Sequence, residues 1–319
     1  MNSPAFLVTG VAGDIGFGIG RIIKESYPES LALGCDVDEH NAAEVLFDHF
    51  LKAPYAKTSE YVPFIIECVK EFSINIVVPT SEAEIDYFWK SGLVQQLDRI
   101  GVKTLILDAQ IVEVSLDKYK TAMFLKDNSF NYPCSYLASQ IESLGIDNYP
   151  YIFKPRIGQG SKNVIKVHSL KEIDLTKRTD DYVVQEYLPG ENQEYTCCVF
   201  GNESEYRAIA FRRTLKNGFT FSGEVVEDYV IHRYIISIAK QLNLVGSLNL
   251  QLRMVERGPV LFEINPRFSS TVVFRHKLGF CDFVWAVEEL CGEKISEYQK
   301  PYEGLKFYRG ITEYFVGEK

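Results

Sequence analysis

Leu261-Phe262-Glu263-Ile264-Asn265-Pro266-Arg267-Phe268 alternates apolar and polar side chains, the pattern of a half-buried β-strand. A side-chain period of two predicts Glu263 and Asn265 on one face, with Phe262 and Ile264 on the other. A carboxylate and an amide oxygen side by side suit a hard cation such as Mg²⁺. Pro266 cannot donate to a strand ladder and predicts the end of pairing. Arg267 then stands at the strand mouth, where its planar fork can grip a phosphate or a carboxylate. Taken alone, the stretch reads equally well as an ordinary strand with a polar face; its company upstream decides.

A chain of 319 residues has room for two or three compact units. Its net charge of −9 lacks the basic footprint that nucleic acids or acidic membranes require, although a local basic cluster can still hold a small anion. No apolar run approaches the length of a membrane span, and Met1–Gly10 has no basic n-region of the signal-peptide type. The seven cysteines are an odd number without a C-x-x-C pair, which predicts reduced thiols and a cytoplasmic setting. No histidines fall in H-E-x-x-H spacing, so a histidine metal site is not expected.

The amino terminus reads as a buried strand (5–9), a glycine-rich turn with Gly10, Gly13, Gly16, Gly18 and Gly20, a helix, and a second strand ending in Asp36. Strand, turn, helix, strand and acid open a nucleotide-binding α/β sheet, and read literally they put Asp36 on a ribose hydroxyl of a dinucleotide. A tight turn that uses glycine only for close backbone approach is the plain alternative. Further helix–strand alternation, with a helix at 61–72, a strand at 74–79 and a strand at 101–107, predicts a parallel sheet to about residue 110. Ser81 with Glu84 predicts a helix cap.

Ser115 predicts the N-cap of the next helix, with Lys118 in its first turn. A cation gains nothing from that end of the helix dipole, so Lys118 points to an anion nearby. Tyr151–Arg156 carries Lys154 toward Gly158-Gln159-Gly160-Ser161-Lys162, and the chain returns over 164–167. The expectation is a β-hairpin whose Gly/Ser/Lys tip can wrap phosphate oxygens, distinct from a Walker A loop. At the end of the next strand, Glu186 and the Leu188 main chain can offer an acceptor and a donor to a flat heterocycle. Glu194, opening the strand after it, can hold ribose hydroxyls. Strand 208–213 ends in Arg212 and Arg213, and a helix follows over 229–242. Strand 246–253 alternates Asn249, Gln251 and Arg253 and pairs with the Glu263 strand, so Gln251, Glu263 and Asn265 are expected to meet. A helical segment at 281–291 and a strand at 304–315 close the chain.

In family order, VTGVAGDIGFGIG, SLDKYKTAMFLKDN, FKPRIGQGSKNV, VVQEYLPGENQEY, SLNLQLR and LFEINPRFSST resemble the ATP-grasp superfamily, most closely one synthetase half of the carbamoyl phosphate synthetase large subunit. The resemblance implies a mixed α/β and α+β protein. A Rossmann-like pre-ATP-grasp domain (1–110) that does not hold NAD would precede a two-lobed ATP-grasp fold, with a small lobe (111–185) and a large lobe (186–319). It implies that Lys118 and Lys154 contact ATP phosphates under a mobile lid, Gly158–Lys162, which includes Gly160 and Ser161. Glu186 and Leu188 would meet adenine, and Glu194 the ribose. Gln251, Glu263 and Asn265 would face two Mg²⁺ ions, with Mn²⁺ able to substitute and Glu263 the bridge. Arg267 would stabilise the phosphorylated intermediate. Gln251 replaces the acid of many relatives, and Lys154 replaces the arginine of the carbamoyl phosphate synthetase branch.

A single synthetase-like unit points away from carbamoyl phosphate synthesis and toward a stand-alone carboxylate–amine ligase. The expected partners are a small acid, such as an amino acid, peptide or sugar acid, and an amine or ammonia, with no nucleic acid and no membrane. Oligomeric state stays open, with a homodimer the assembly considered. Arg212, Arg213 and Arg267 are the candidates for the acid's anionic groups, and Ser222, Glu224 and Ser269 for the acceptor side. Two other readings are an NAD(P) oxidoreductase built on the glycine-rich turn and a non-catalytic ATP-binding homologue.

Overall fold

The computed structural model describes residues 3–143, 145, 150–158, 163–190, 193–216, 219–310 and 312–315. Gly160, Ser161 and Lys162 of the expected phosphate lid lie outside these residues.

The first unit is a five-stranded parallel sheet of β1 (Phe6–Thr9), β2 (Ala32–Asp36), β3 (His49–Lys52), β4 (Ile76–Val78) and β5 (Lys103–Thr104), in the order β3-β2-β1-β4-β5. Strands β1, β2 and β4 are buried throughout, as a sheet covered on both faces requires. Phe6 and Val8 point to the side of helix α1 (Asp14–Ser26). Leu7 points to the opposite layer, with helix α2 (Tyr61–Glu71). Ser81 caps helix α3 (Glu82–Lys90) as its spacing predicts, and helix α4 (Leu93–Arg99) follows.

The glycine-rich turn closes on itself. Val11 N–H donates to the Cys35 carbonyl, Ala12 N–H to Asp36 Oδ2, and Gly13 N–H to the Gly10 carbonyl. Asp36 also accepts from Asp38 N–H at 3.0 Å. Against the literal dinucleotide reading, the acid expected on a ribose ties the turn to β2 instead, and the Val11, Ala12 and Gly13 amides are bonded within the unit. Glycine serves close approach instead. A Cβ at Gly16 would stand 2.6 Å from the Gly10 carbonyl oxygen.

Helices α5 (Ala109–Leu116) and α6 (Lys118–Asp127) lead into the second unit. The cap of α6 is Asp117, whose carboxylate accepts from Tyr119 and Lys120 N–H. Ser115, the expected cap, lies inside the last turn of α5 and donates back to the Ile111 carbonyl, because the extended backbone needed at a cap falls on Asp117. Strands β6 (Ser135–Leu137), β7 (Tyr151–Pro155), β8 (Ile165–Val167) and β9 (Tyr182–Glu186) form an antiparallel sheet in the order β6-β9-β7-β8. β7 and β8 pair as the hairpin expected from the sequence.

The third unit is a six-stranded antiparallel sheet of β10 (Glu194–Gly201), β11 (Tyr206–Lys216), β12 (Phe219–Val225), β13 (Gly246–Val255), β14 (Gly258–Asn265) and β15 (Lys306–Tyr308), ordered β14-β13-β10-β11-β12-β15. Helix α7 (Tyr229–Gln241) covers one face through Ile231, Ile235 and Ile238. The other face meets α1 and two further helices, α8 (Val272–Lys277) and α9 (Asp282–Leu290). The expected terminal strand 304–315 is reduced to β15. Arg309 N–H still donates to the Phe221 carbonyl of β12, and its side chain bonds the Thr220 and Ser270 carbonyls.

The Gly16→Ala variant is expected to lower stability by about 2–3 kcal/mol, since its methyl meets backbone atoms that cannot give. Gly101→Ala, at φ +78° with open space around it, is expected to cost only about 1 kcal/mol. Urea unfolding midpoints compare them, and equal losses would remove the close-approach account.

Candidate functional site

One face of the six-stranded sheet changes character along its length. On β10, Phe200 and Cys198 lie in the core, whereas Thr196 and Glu194 border a cavity of about 620 Å³. The register pairs Thr196 with Gln251 and Glu194 with Arg253, which extends the polar end across β13. The cavity lies between this sheet, the β7–β9 hairpin strands and the glycine-rich turn of the parallel sheet.

Gln251 pairs with Glu263 and Asn249 with Asn265, so three oxygen-bearing side chains of the expected cation site come together on two adjacent strands. The alternation predicted for β14 breaks once. The register steps from Gln251–Glu263 to Leu252–Leu261, which leaves Phe262 as the extra residue of a β-bulge. Phe262 therefore borders the cavity beside Glu263, and only Ile264 joins the core opposite, contrary to the simple period-two reading. The donor set of one carboxylate and two amides fits a hard cation. Among the described residues no three His, Cys, Asp or Glu side chains gather as a metal group, so such a cation would need oxygens from a ligand as well. Asn265 is 2% exposed and its Nδ2 has no hydrogen-bond partner.

Across the cavity, Lys154 sits on β7 with its Nζ 2.7 Å from Gln185 Oε1. Gln185 donates in turn to Ser135 Oγ, which donates to the Pro133 carbonyl. Among the described residues no carboxylate lies within 4.0 Å of this ammonium. Burial pulls the Lys154 pKa down to about 8, Glu263 across the cavity opposing and Lys118 adding to the fall. Lys118 Nζ donates to the Gly158 carbonyl at 2.5 Å. Its helix is held by Arg156, whose Nε lies 2.8 Å from both Asp117 oxygens. Gln185 and Arg156 were missed in the sequence. Only the alternation of Val183-Val184-Gln185-Glu186 pointed Gln185 to the Lys154 side.

Glu194 lines the cavity but is not free. Arg213 Nη2 lies 2.7 Å away and Arg253 Nη2 2.9 Å. Burial works to raise its pKa, and the two guanidiniums outweigh it and hold the carboxyl below the usual range. Arg213 also donates to Gln251 Oε1 at 2.9 Å. Arg212, expected beside it at the acid substrate, is turned to the opposite face and pairs with Glu224, because neighbouring strand residues alternate. That pairing also removes Glu224 from the acceptor side. The Glu186 carboxylate is likewise engaged, 2.8 Å from both amino groups of Arg257 and accepting from Cys134 N–H. An acceptor for a heterocycle there must come from the main chain of Glu186–Leu188. The Leu188 carbonyl itself takes a 2.7 Å bond from Arg253.

Arg267 stands at the mouth of β14 as expected, 3.0 Å from Glu82 Oε1 and 3.3 Å from Asn265 Oδ1. Glu82, from the parallel-sheet unit, was not anticipated. Burial raises its pKa, Arg267 opposing and Glu263 adding to the rise. Asp14, at the head of α1, borders the same end of the cavity. Ser269 lines the cavity, but its hydroxyl accepts from the buried Arg275, so it serves the loop as well.

A parallel α/β sheet is thus followed by two antiparallel sheets that enclose a lysine- and acid-lined cleft. Residues 115–271 match the family described as ATP-grasp domain. The carbamoyl phosphate synthase large chain of Thermoanaerobacter sp. (strain X514) is 26% identical over 307 residues, covering 88% of this chain and 26% of the relative. The chain thus spans about a quarter of the length of the curated relatives it matches. Among solved structures, the ADP complex of N5-carboxyaminoimidazole ribonucleotide synthetase has a TM-score of 0.74 at 14% identity, covering 94% of this chain and 79% of that one. The L-amino acid ligase from Bacillus licheniformis has a TM-score of 0.69 at 14% identity, covering 91% and 74%. At such identities the likeness establishes the fold, a Rossmann-like unit followed by the two lobes of an ATP-grasp.

Lys154→Met is expected to stabilise the empty protein by roughly 1–3 kcal/mol, because a buried ammonium with only an amide partner is replaced by an apolar chain of similar shape. The unfolded lysine keeps its proton to the ordinary 10.5, whereas the folded one loses it near 8. The unfolded state binds more protons between those values, so this contribution to wild-type stability rises with pH across that window. The variant's advantage should therefore shrink from pH 8 upward in denaturant titrations. An advantage that is absent, or independent of pH, would show that Lys154 is not a buried cation.

Proposed function

We propose that the chain is an ATP-dependent ligase joining a carboxylic acid to an amine or ammonia through an acyl phosphate. The observation that carries this reading is Lys154 and Lys118 on one wall of a cavity whose other wall bears Gln251, Glu263 and Asn265. Cations above and oxygen ligands below suit a triphosphate with a divalent ion. The division into units 1–110, 111–185 and 186–319 belongs to the same proposal and is supported by the separation of the three sheets.

In this mechanism the substrate carboxylate attacks the γ-phosphorus of ATP and ADP leaves. The amine nitrogen then attacks the acyl carbon, the carbon–oxygen bond to phosphate breaks, and a proton is lost from nitrogen. No side-chain nucleophile is needed; catalysis is positioning and charge neutralisation. Lys118 and Lys154 would hold the phosphates, with Gly158 at the base of the lid that Gly160, Ser161 and Lys162 continue. Backbone groups of Glu186–Leu188 would meet adenine, and Glu194, kept ionised by its arginines, the ribose. Gln251, Glu263 and Asn265 would hold Mg²⁺, which supplies charge neutralisation at the transferred phosphoryl. Of the three arginines considered for the acid, Arg212 points away, and Arg213 and Arg267 both line the cavity, each beside a carboxylate, Glu194 and Glu82. Arg267, next to Asn265 at the mouth of β14, is the one assigned to the acid. The cleft in the parallel-sheet unit offers no comparable pyrophosphate cradle, which disfavours the oxidoreductase reading.

ADP release from Mg-ATP, screened over pairs of acids and amines, tests the proposal. Glu263→Ala and Lys154→Ala are each expected to lower turnover by about 10²-fold or more, the scale for losing one preorganised charge partner. Near-normal turnover in both variants would remove the proposed site.

A further inference from the structure

At one end the cavity is walled in part by the parallel-sheet unit, where Glu82 meets Arg267. Gly10, Asp14 and Thr80 stand on that side, and Asn265, Arg267 and Ser270 on the other. We propose that this end is a subsite for an α-amino acid bound as a zwitterion, its carboxylate at Arg267 and Asn265 and its ammonium at Asp14. The inference rests on the ligase reading above and names the class of acid that reading leaves open.

Three separate observations carry it. First, Asn265 is 98% buried yet its Nδ2 donor has no partner, which is costly unless an acceptor arrives. Its oxygen already accepts from Arg267, so amide and guanidinium stand together beside the cavity. A carboxylate between them would satisfy the donor and use a free N–H of the guanidinium, whose recorded contacts are Glu82, Asn265 and the Phe268 carbonyl.

Second, Asp14 borders the same space but is poorly matched. Its Oδ2 has no hydrogen bond, and the nearest guanidinium, that of Arg309, stands 3.8 Å away while donating to the Ser270 and Thr220 carbonyls. Burial raises the Asp14 pKa although Arg309 and Arg267 both oppose it. A carboxylate in that position gains from a cationic hydrogen-bond donor, and an ammonium is one.

Third, the charges around the subsite are balanced, with Arg267 beside Glu82 at 3.0 Å and Asp14 beside Arg309 at 3.8 Å. A dicarboxylate or a phosphorylated acid would add a second anion to a set that already holds two carboxylates, and like charges in a partly buried site are costly. A zwitterion adds no net charge to that set. Asp14 is thereby a specificity-determining residue that reads the amino group next to the reacting carboxylate.

The test titrates the full chain, loaded with Mg²⁺ and a non-hydrolysable ATP analogue, with the standard L-amino acids and their des-amino counterparts, such as propionate for alanine. At least one amino acid is expected to bind more tightly than its des-amino acid by about 100-fold or more, well inside the roughly 10⁴-fold by which a site built to hydrogen-bond a polar group rejects the analogue lacking it. Asp14→Asn should reduce that ratio to within about threefold and leave nucleotide affinity within about twofold, and Asp14→Glu should restore part of it. A merely structural Asp14 in the first turn of α1 would lower the unfolding temperature and leave the ratio unchanged, which overturns the inference. ADP release is measured alongside. Turnover with plain carboxylic acids and no preference for amino acids would sink the inference and leave the ligase standing. Asp14-dependent amino-acid binding without turnover with any amine would support the subsite and sink the ligase.

Discussion

The buried ion pair between Arg275 and Asp282 is the constraint on which the site hangs. Both side chains are about 1% exposed and the Nη2–Oδ2 distance is 2.7 Å. The pair does not stand alone. Arg275 Nη1 donates to Ser269 Oγ and Thr271 Oγ1, and Asp282 Oδ2 accepts from Ser247 Oγ. Two helices, the loop after β14 and the start of β13 are thus tied to one point. A buried charge pair contributes little net stability by itself, but removing either partner strands the other. Its geometric effect is to set where the chain goes after Asn265, and with it the position of Arg267. The pair also stands where the sheet face changes from aromatic core, with Phe283 and Trp285, to charged cavity.

Around that pin, the cavity separates its charges by how they are paired. Glu194 lies between two arginines and stays ionised despite burial. Lys154 has an amide partner instead of an acid, so its charge remains uncompensated and directed into the cavity. Glu82 and Arg267 pair across the boundary between the parallel-sheet unit and the large sheet. These are different solutions to one problem, a charge brought out of water. Lys154, without a carboxylate partner, and the Asn265 amide, with an unbonded Nδ2, both border the space where a ligand would sit. A polar group that is costly when the site is empty is well placed to gain when it is filled.

The parallel-sheet unit illustrates how little a fold motif says about chemistry. Its strand–turn–helix–strand opening has the outline of a dinucleotide site. Local hydrogen bonds close the turn, and Asp36 completes the closure from within. What remains for the outside is the head of α1, where Asp14 borders the cavity. A segment read as a cofactor cradle becomes a wall of a neighbouring site.

Much of the architecture was legible because it rests on local periodicity. Continuous apolar runs marked the buried parallel strands, and Lys154, Gln251, Glu263, Asn265 and Arg267 could be picked out on strands whose alternation gave each a face. The limits of that legibility were equally physical. Period two assigns faces only while register holds, so the bulge at Phe262 was invisible, and two adjacent arginines at 212 and 213 looked alike until the sheet sent them to opposite sides. Ser115 and Asp117 both suit a helix cap, and the choice fell to the backbone between two consecutive helices. Pairings such as Glu186 with Arg257 and Glu82 with Arg267 join residues 71 and 185 positions apart, and local sequence carries no record of such distances. The amino-acid sequence by itself determined which residue types stand on which element. Only tertiary structure decided which charges are neutralised by neighbours and which are left open to the cavity, because that depends on burial and on partners brought in from other sheets.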